Sequence, residues 1–434
     1  MLRTNSRFLR ASAAFRASAA LRASAALRAS AALRALTALG LAAAAAMVGG
    51  CGGGGGGSSG GGGGVSASGQ TNVVQVTVAR GLGGIANIPT VSVTVCAPGT
   101  GTCETIDNIQ LDTESFGLRL VGTAAASVLG SLPQQTVGGF PVAECTHFAD
   151  GFIWGSVRTA DIKIAGESAS NVPIQIVGDL GASTVPVGCQ NGPNESSAAN
   201  IGANGILGVG VALHDCGSLC VGAAINSNYY VCPNNTSCTQ TVLALSQQVA
   251  NPVSRFSTDN NGVILTVPPV GATGAASVTG SLTFGIGTRS NNVMGAAQKY
   301  TTSASGDVNV TFNGSPVTAF FDSGSNAYFF TDGTLTSCSG NAFYCPGTPT
   351  TRTVTIASFN NVAPGAVGGT SVTMNVANAN ALFASGNFAF NNMAGNLGMS
   401  NLIDFGMSFF YGRTVYYGFD QTATIGGASP FIAF

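Results

Sequence analysis

The sequence predicts a mainly β protein built from two similar halves, and three observations carry the prediction. A pattern of apolar strand, Asp, hydroxyl residue, tight turn and Ser occurs twice, within Asn108–Leu120 and again within Val317–Phe330. Valines alternate with polar residues at Val74, Val76 and Val78, and again at Val91, Val93 and Val95, which is the period of half-buried strands. Finally, only 8% of the residues are charged while 45% are hydrophobic and 62 are glycine. That composition is far from the charge-rich pattern of a disordered chain, and it suits short strands joined by turns.

The length of 434 residues is enough for one large two-lobed domain. The net charge of -1 conceals an asymmetry. Seven of the 16 basic residues, Arg3 to Arg34, precede residue 35, a stretch without a single acid. The remainder carries nine basic against 17 acidic residues, a balance of -8, with Lys163 and Lys299 its only lysines. No basic patch exists to neutralise phosphates, so nucleic acid is excluded as an expected partner.

Residues 1–50 read as a signal peptide. The first 34 repeat Arg-Ala-Ser-Ala-Ala-Leu with a period of six, so arginines on a helix would advance by about 600° and form no single stripe. An apolar segment, 35–50, follows that is too short for a comfortable membrane span. Val48-Gly49-Gly50-Cys51 then resembles the bacterial lipobox, in which the cysteine is lipidated and becomes the new N-terminus. Residues 51–70 form a tether in which only Ser58 and Ser59 interrupt the glycines from Gly52 to Gly64. Such a chain spans about 25 Å root-mean-square. Residue 52 is Gly rather than Asp, so retention at the inner membrane is not signalled. The expectation is an outer-membrane lipoprotein held to the membrane through lipid on Cys51.

Ten further cysteines suit an oxidising compartment. Cys96 and Cys103, Cys216 and Cys220, Cys232 and Cys238, and Cys338 and Cys345 stand at hairpin-like separations, with Cys145 and Cys189 remaining. Spacing alone leaves the connectivity open. His214-Asp215-Cys216 with Cys220 has metal-ligand residue types, but a disulfide-closed loop is the expected reading in that compartment. His147 and His214 are the only histidines, and neither follows a Gly-x-Ser-x-Gly elbow. Gly208-x-Gly210 lacks the third glycine and the acid of a dinucleotide site.

The two repeats each place a carboxylate in a turn between strands that read as buried. A buried lone carboxylate is costly, so Asp112 and Asp322 call for hydrogen-bond donors and a task. Downstream of the first, Gly151–Gly166 reads as a hairpin of alternating strands containing Trp154-Gly155-Ser156. Ile206-Leu207-Gly208 and Leu402–Gly406 are apolar strands ending in glycine, one per half. Gly280–Gly285 and Thr414–Asp420 resemble the strands that close the two lobes of a known family. In that order these elements resemble the pepsin-like aspartic peptidases, over residues 72–434. With its leader, the chain also resembles an uncharacterised family of bacterial lipoproteins.

The resemblance implies a two-lobed pepsin-like fold with a central cleft, an N-terminal β lobe of residues 71–290 and a C-terminal β lobe of residues 291–434. It implies an aspartic endopeptidase in which Asp112 and Asp322 share a proton and activate a water, with no metal or cofactor. Thr113, Ser115, Ser323, Gly324 and Ser325 would support the dyad. Trp154, Gly155 and Ser156 would form a flap over a peptide or protein substrate, with Trp154 where the family has Tyr. One position departs from the pattern: Glu114 stands where the family has glycine. Its side chain either crowds and charges the dyad or points to solvent with the backbone unchanged. The competing expectations are an inactive pepsin-like surface protein that binds an extended peptide or glycan in the cleft, and a structural envelope lipoprotein without a ligand.

Overall fold

A computed structural model describes residues 71–148, 151–233, 237–359, 369–424 and 427–434. The leader 1–50, Cys51 and the tether 51–70 lie outside the described residues. Among the described residues no helix is long and apolar enough to cross a membrane.

The chain is mainly β, arranged in two sheets. The valine alternation forms strands as its period dictates. Val74, Val76 and Val78 are buried along Val73–Ala79, and Val91, Val93 and Val95 along Ile88–Cys96. A register shift between Val91 and Val93, where Ile88–Cys96 pairs with Cys103–Asp112, leaves both valines inward. The large sheet runs from these strands through Gly205–Val209, Phe116–Val121, Glu167–Val177, Phe152–Ile164 and Phe140–His147. In the other direction it continues through Val278–Phe284 and Gly262–Val267. The smaller sheet belongs to the second half and centres on Val308–Phe312, Ser315–Phe321 and Leu402–Phe405.

Both halves hold their Asp repeat in one topology. Cys103–Asp112 pairs parallel with Gly205–Val209, which pairs antiparallel with Phe116–Val121. Ser315–Phe321 likewise pairs parallel with Leu402–Phe405, which pairs antiparallel with Tyr328–Phe329. Each Asp loop therefore leaves one side of an apolar strand and returns on the other. The apolar-Gly segments are those central strands.

The halves are sewn together. Arg413–Gly418 pairs antiparallel with Gly262–Val267, and Phe431–Ala433 and Lys299–Thr301 follow it in the large sheet. Strands from beyond residue 291 thus extend the sheet of the first half, and one apolar core runs from Val74 to Phe405 and Ile432. Phe321, on the strand entering the second Asp loop, stacks on Phe405 with ring centroids 4.7 Å apart, an arrangement that adds about 1 kcal/mol to simple burial.

Disulfides join Cys96 to Cys103, Cys145 to Cys189, Cys216 to Cys220, Cys232 to Cys238 and Cys338 to Cys345. Four close local turns. The fifth spans 44 residues and ties the Phe140–His147 strand to the segment around Cys189.

Candidate active site

Loop closure at each Asp repeat follows from the carboxylate's need for donors. Asp112 Oδ1 accepts the backbone N–H of Glu114 at 2.8 Å and of Ser115 at 3.0 Å. Asp322 Oδ1 accepts the N–H of Gly324 at 2.7 Å, and its Oδ2 accepts the Ser325 hydroxyl at 2.8 Å. These bonds bend the chain so that both carboxyls turn inward, and those to an ionised Asp112 are charge-assisted, about twice as strong as neutral ones. Asp112 and Asp322 are 7% and 3% exposed.

The two loops grip one another through hydroxyl groups. Thr113 Oγ1 donates to the Phe321 carbonyl at 3.0 Å and accepts from Ser323 N at 2.9 Å. Ser323 Oγ donates to the Leu111 carbonyl at 2.8 Å. Both side chains are fully buried, so each lost bond would leave an unsatisfied polar group. This cross-bonding brings the two carboxyls together: a Cβ added at Gly324 would lie 2.8 Å from Asp112 Cγ and 3.0 Å from Asp322 Oδ1.

Burial raises the Asp322 carboxyl well above its ordinary range, and the hydrogen-bonded Asp112 carboxylate beside it pushes in the same direction. One proton held between two carboxyls is the chemistry this favours.

Glu114 keeps the backbone role of a loop residue, since its N–H still reaches Asp112. Its side chain turns to the second half, where the carboxylate lies against Gly306. A Cβ at Gly306 would come 2.6 Å from Glu114 Oε2, and the φ of +98° there also favours glycine. Of the two positions that the sequence leaves open, burial excludes the solvent-facing one. The side chain is buried at the junction of the halves.

Ser115 and Ser325 are not equivalent. Ser325 reaches its aspartate, whereas Ser115 Oγ is buried with no hydrogen-bond partner among the described residues.

The hairpin turn expected around Trp154 is corrected. Trp154, Gly155 and Ser156 lie inside one thirteen-residue strand, Phe152–Ile164, and form no turn. Trp154 is 1% exposed and packs edge-on against Tyr230, 5.4 Å away. Gly155 is glycine for a different reason than a turn: a Cβ there would run into the Ile176 carbonyl of the neighbouring strand. Ser156 is fully buried and bonded to Asp179. The strand instead pairs with Phe140–His147 on one side and Glu167–Val177 on the other.

Of the histidines, His147 Nε2 lies 3.1 Å from the Cys189 carbonyl, and burial lowers its pKa. His147 and the sulfurs of Cys145 and Cys189 lie within 4.8 Å of one another, but the two sulfurs are bonded together and offer no thiolate to a metal. Asp215, beside His214, is taken up by an ion pair with Arg119, and Cys216 by its disulfide.

Three supporting residues carry no signal in the sequence. Gln110 Nε2 donates to the Gly324 carbonyl at 2.7 Å, and Tyr417 OH to the Phe321 carbonyl at 2.8 Å. Asn87, held at a φ of +60°, donates to the Asn326 carbonyl at 2.7 Å, just past the second loop. Each bridges a sequence distance on the order of 100 residues or more, which no local pattern reports.

The family described as "Protein of unknown function (DUF3443)" matches residues 68–434. No curated protein matches the chain. Among solved structures, the crystal structure of aspartic proteinase from Irpex lacteus is similar at 15% identity, covering 83% of this chain and 96% of that one, with a TM-score of 0.45.

Proposed function

For a chain that belongs to the DUF3443 family of unknown function, we propose an aspartic-type endopeptidase with a two-lobed pepsin-like fold, anchored in the cell envelope through lipid on Cys51. The observation that supports it is the pair of inward-facing carboxyls, Asp112 and Asp322, locked by Thr113 and Ser323 on either side of Gly324.

In this reading the dyad's proton rests on Asp322 and a water sits between the carboxyls. Asp112 takes a proton from the water as its oxygen attacks the peptide carbonyl carbon. Asp322 gives its proton to the carbonyl oxygen, which leaves a tetrahedral diol. Asp112 then gives its proton to the amide nitrogen, the C–N bond breaks as a diol hydroxyl returns a proton to Asp322 and the carbonyl re-forms, and acid and amine leave. Gly324 matters because any side chain there would occupy the space between the carboxyls.

Purified mature protein is expected to cleave a diverse peptide library between pH 3 and 7, to be blocked by a statine-type transition-state mimic, and to lose cleavage in Asp322→Asn. General acid and general base each contribute factors on the order of 10²–10⁴. Absence of cleavage by folded, disulfide-bonded protein would remove the peptidase reading. It would leave the alternative of a binding cleft for an extended peptide or glycan, which the absence of a hydrogen bond from the Ser115 hydroxyl to Asp112 favours. Labelled fatty acid entering the wild type but not Cys51→Ala checks the anchor.

A further inference from the structure

Four residues beyond Ser115, the chain buries a guanidinium. Arg119 is 1% exposed, which costs several kcal/mol unless its charge and donors are met. They are met from three directions. Its NH1 donates to the Phe116 carbonyl at 2.7 Å and its Nε to Thr146 Oγ1 at 3.2 Å. Its NH2 donates to Glu144 at 2.9 Å and to Asp215 at 3.3 Å. Thr146 also donates to Glu144, at 2.8 Å. Tyr229 OH donates to Asp215 at 2.6 Å and itself accepts Val249 N at 2.7 Å.

We infer that Arg119 is a positioning residue that couples the Asp112 loop to the Phe140–His147 strand. The inference rests on reading Asp112 as a dyad member. The covalent side of the link is short. Ser115 N holds Asp112 Oδ1, Ser115 O accepts Gly210 N at 3.0 Å, and Phe116, whose carbonyl Arg119 holds, is the next residue. On the far side, Glu144 and Thr146 belong to the strand that pairs with Phe152–Ile164, so the guanidinium fixes that ladder against the loop. A guanidinium suits the task because its donors form a rigid planar fork, which a lysine ammonium cannot reproduce. Replacing a buried ion cluster by apolar residues is often neutral for stability, so its presence here points to geometry as the property it serves.

Two carboxyl groups face the one guanidinium, Glu144 at 2.9 Å and Asp215 at 3.3 Å. Burial raises the Asp215 carboxyl well above its usual range, Glu144 beside it adds to the rise, and Arg119 opposes it. Glu144 is lowered overall, because Arg119 and the hydrogen bond with Asp215 outweigh its burial.

Hydrogen exchange on the full mature chain tests the coupling. In Arg119→Lys, amides within 112–120 and within the paired strands 140–147 and 152–158 are expected to lose protection together, tenfold or more. The Val73–Ala79 and Val278–Phe284 amides keep theirs. Turnover of a cleaved peptide falls by a similar factor in Arg119→Lys without loss of folded protein. Loss in one of the two segments alone, uniform loss through the sheet, or no loss overturns the inference. Were the wild type to cleave no peptide, the dyad reading would fail while the exchange pattern still decided the coupling.

Discussion

The two Asp loops share a topology and differ in what surrounds the carboxyl. In the second, Gly324 leaves the space between the carboxyls open, and the Ser325 hydroxyl completes the hydrogen bonding of Asp322. In the first, the matching residues are Glu114, whose side chain leaves for Gly306, and Ser115, whose hydroxyl meets no partner among the described residues. The lesson is that a glycine in such a motif can be there for either of two reasons. At 324 it makes room for the opposite carboxylate. At 114 a side chain is accommodated, and it is Gly306, opposite its carboxylate, that has no room for a Cβ.

The largest effect expected from that difference is at the dyad. Gly324→Ala should lower peptide hydrolysis at least about a hundredfold, the scale of losing one general acid or base, because its Cβ would overlap Asp112 Cγ. Glu114→Gly should keep the fold and keep or raise activity. Steady-state kinetics on both variants at acid pH decide it. Equal losses would mean that the loops are equivalent after all.

A smaller effect is expected at the junction of the halves. Gly306→Ala should cost about 1–3 kcal/mol, from a strained positive φ and from contact with Glu114. In a Glu114→Gly background the contact part should vanish. A double-mutant cycle by chemical denaturation, with a coupling above about 0.5 kcal/mol, would establish the pairing. Strict additivity would refute it.

The third difference is electrostatic and appears as pH dependence. Asp322 has a folded-state pKa raised above the ordinary aspartate value of 3.8. The native state then holds a proton that the unfolded chain has released, so stability falls as pH rises from about 4 through the folded value. Each unit of upward shift is worth about 1.4 kcal/mol. Asp322→Asn lacks this loss, so its stability relative to wild type should grow from about pH 4 to pH 7 in urea titrations. A difference independent of pH would show that Asp322 carries no excess proton.

Much of the scaffold is legible in the sequence. The alternating valines mark strands because a buried face recurs every second residue. The apolar run Val317–Phe321 that opens the second repeat is the inner part of the observed strand Ser315–Phe321. The two Asp repeats are legible because each loop is closed by its own residues. Trp154-Gly155-Ser156 misleads for an equally physical reason. A glycine that avoids a neighbouring carbonyl and one that makes a turn look alike in sequence, and only the position of Ile176 separates them.

Local sequence is enough to specify the strands, the paired Asp loops and the supply of cysteines, because these rest on short periods and on bonds that close within a few residues. Tertiary structure settled the rest. It chose where Glu114 points, which serine reaches its aspartate, and that Arg119 meets Glu144 and Asp215, 25 and 96 residues away. Such choices depend on which backbone arrives opposite a side chain once the sheets have packed, and no local period encodes that arrival.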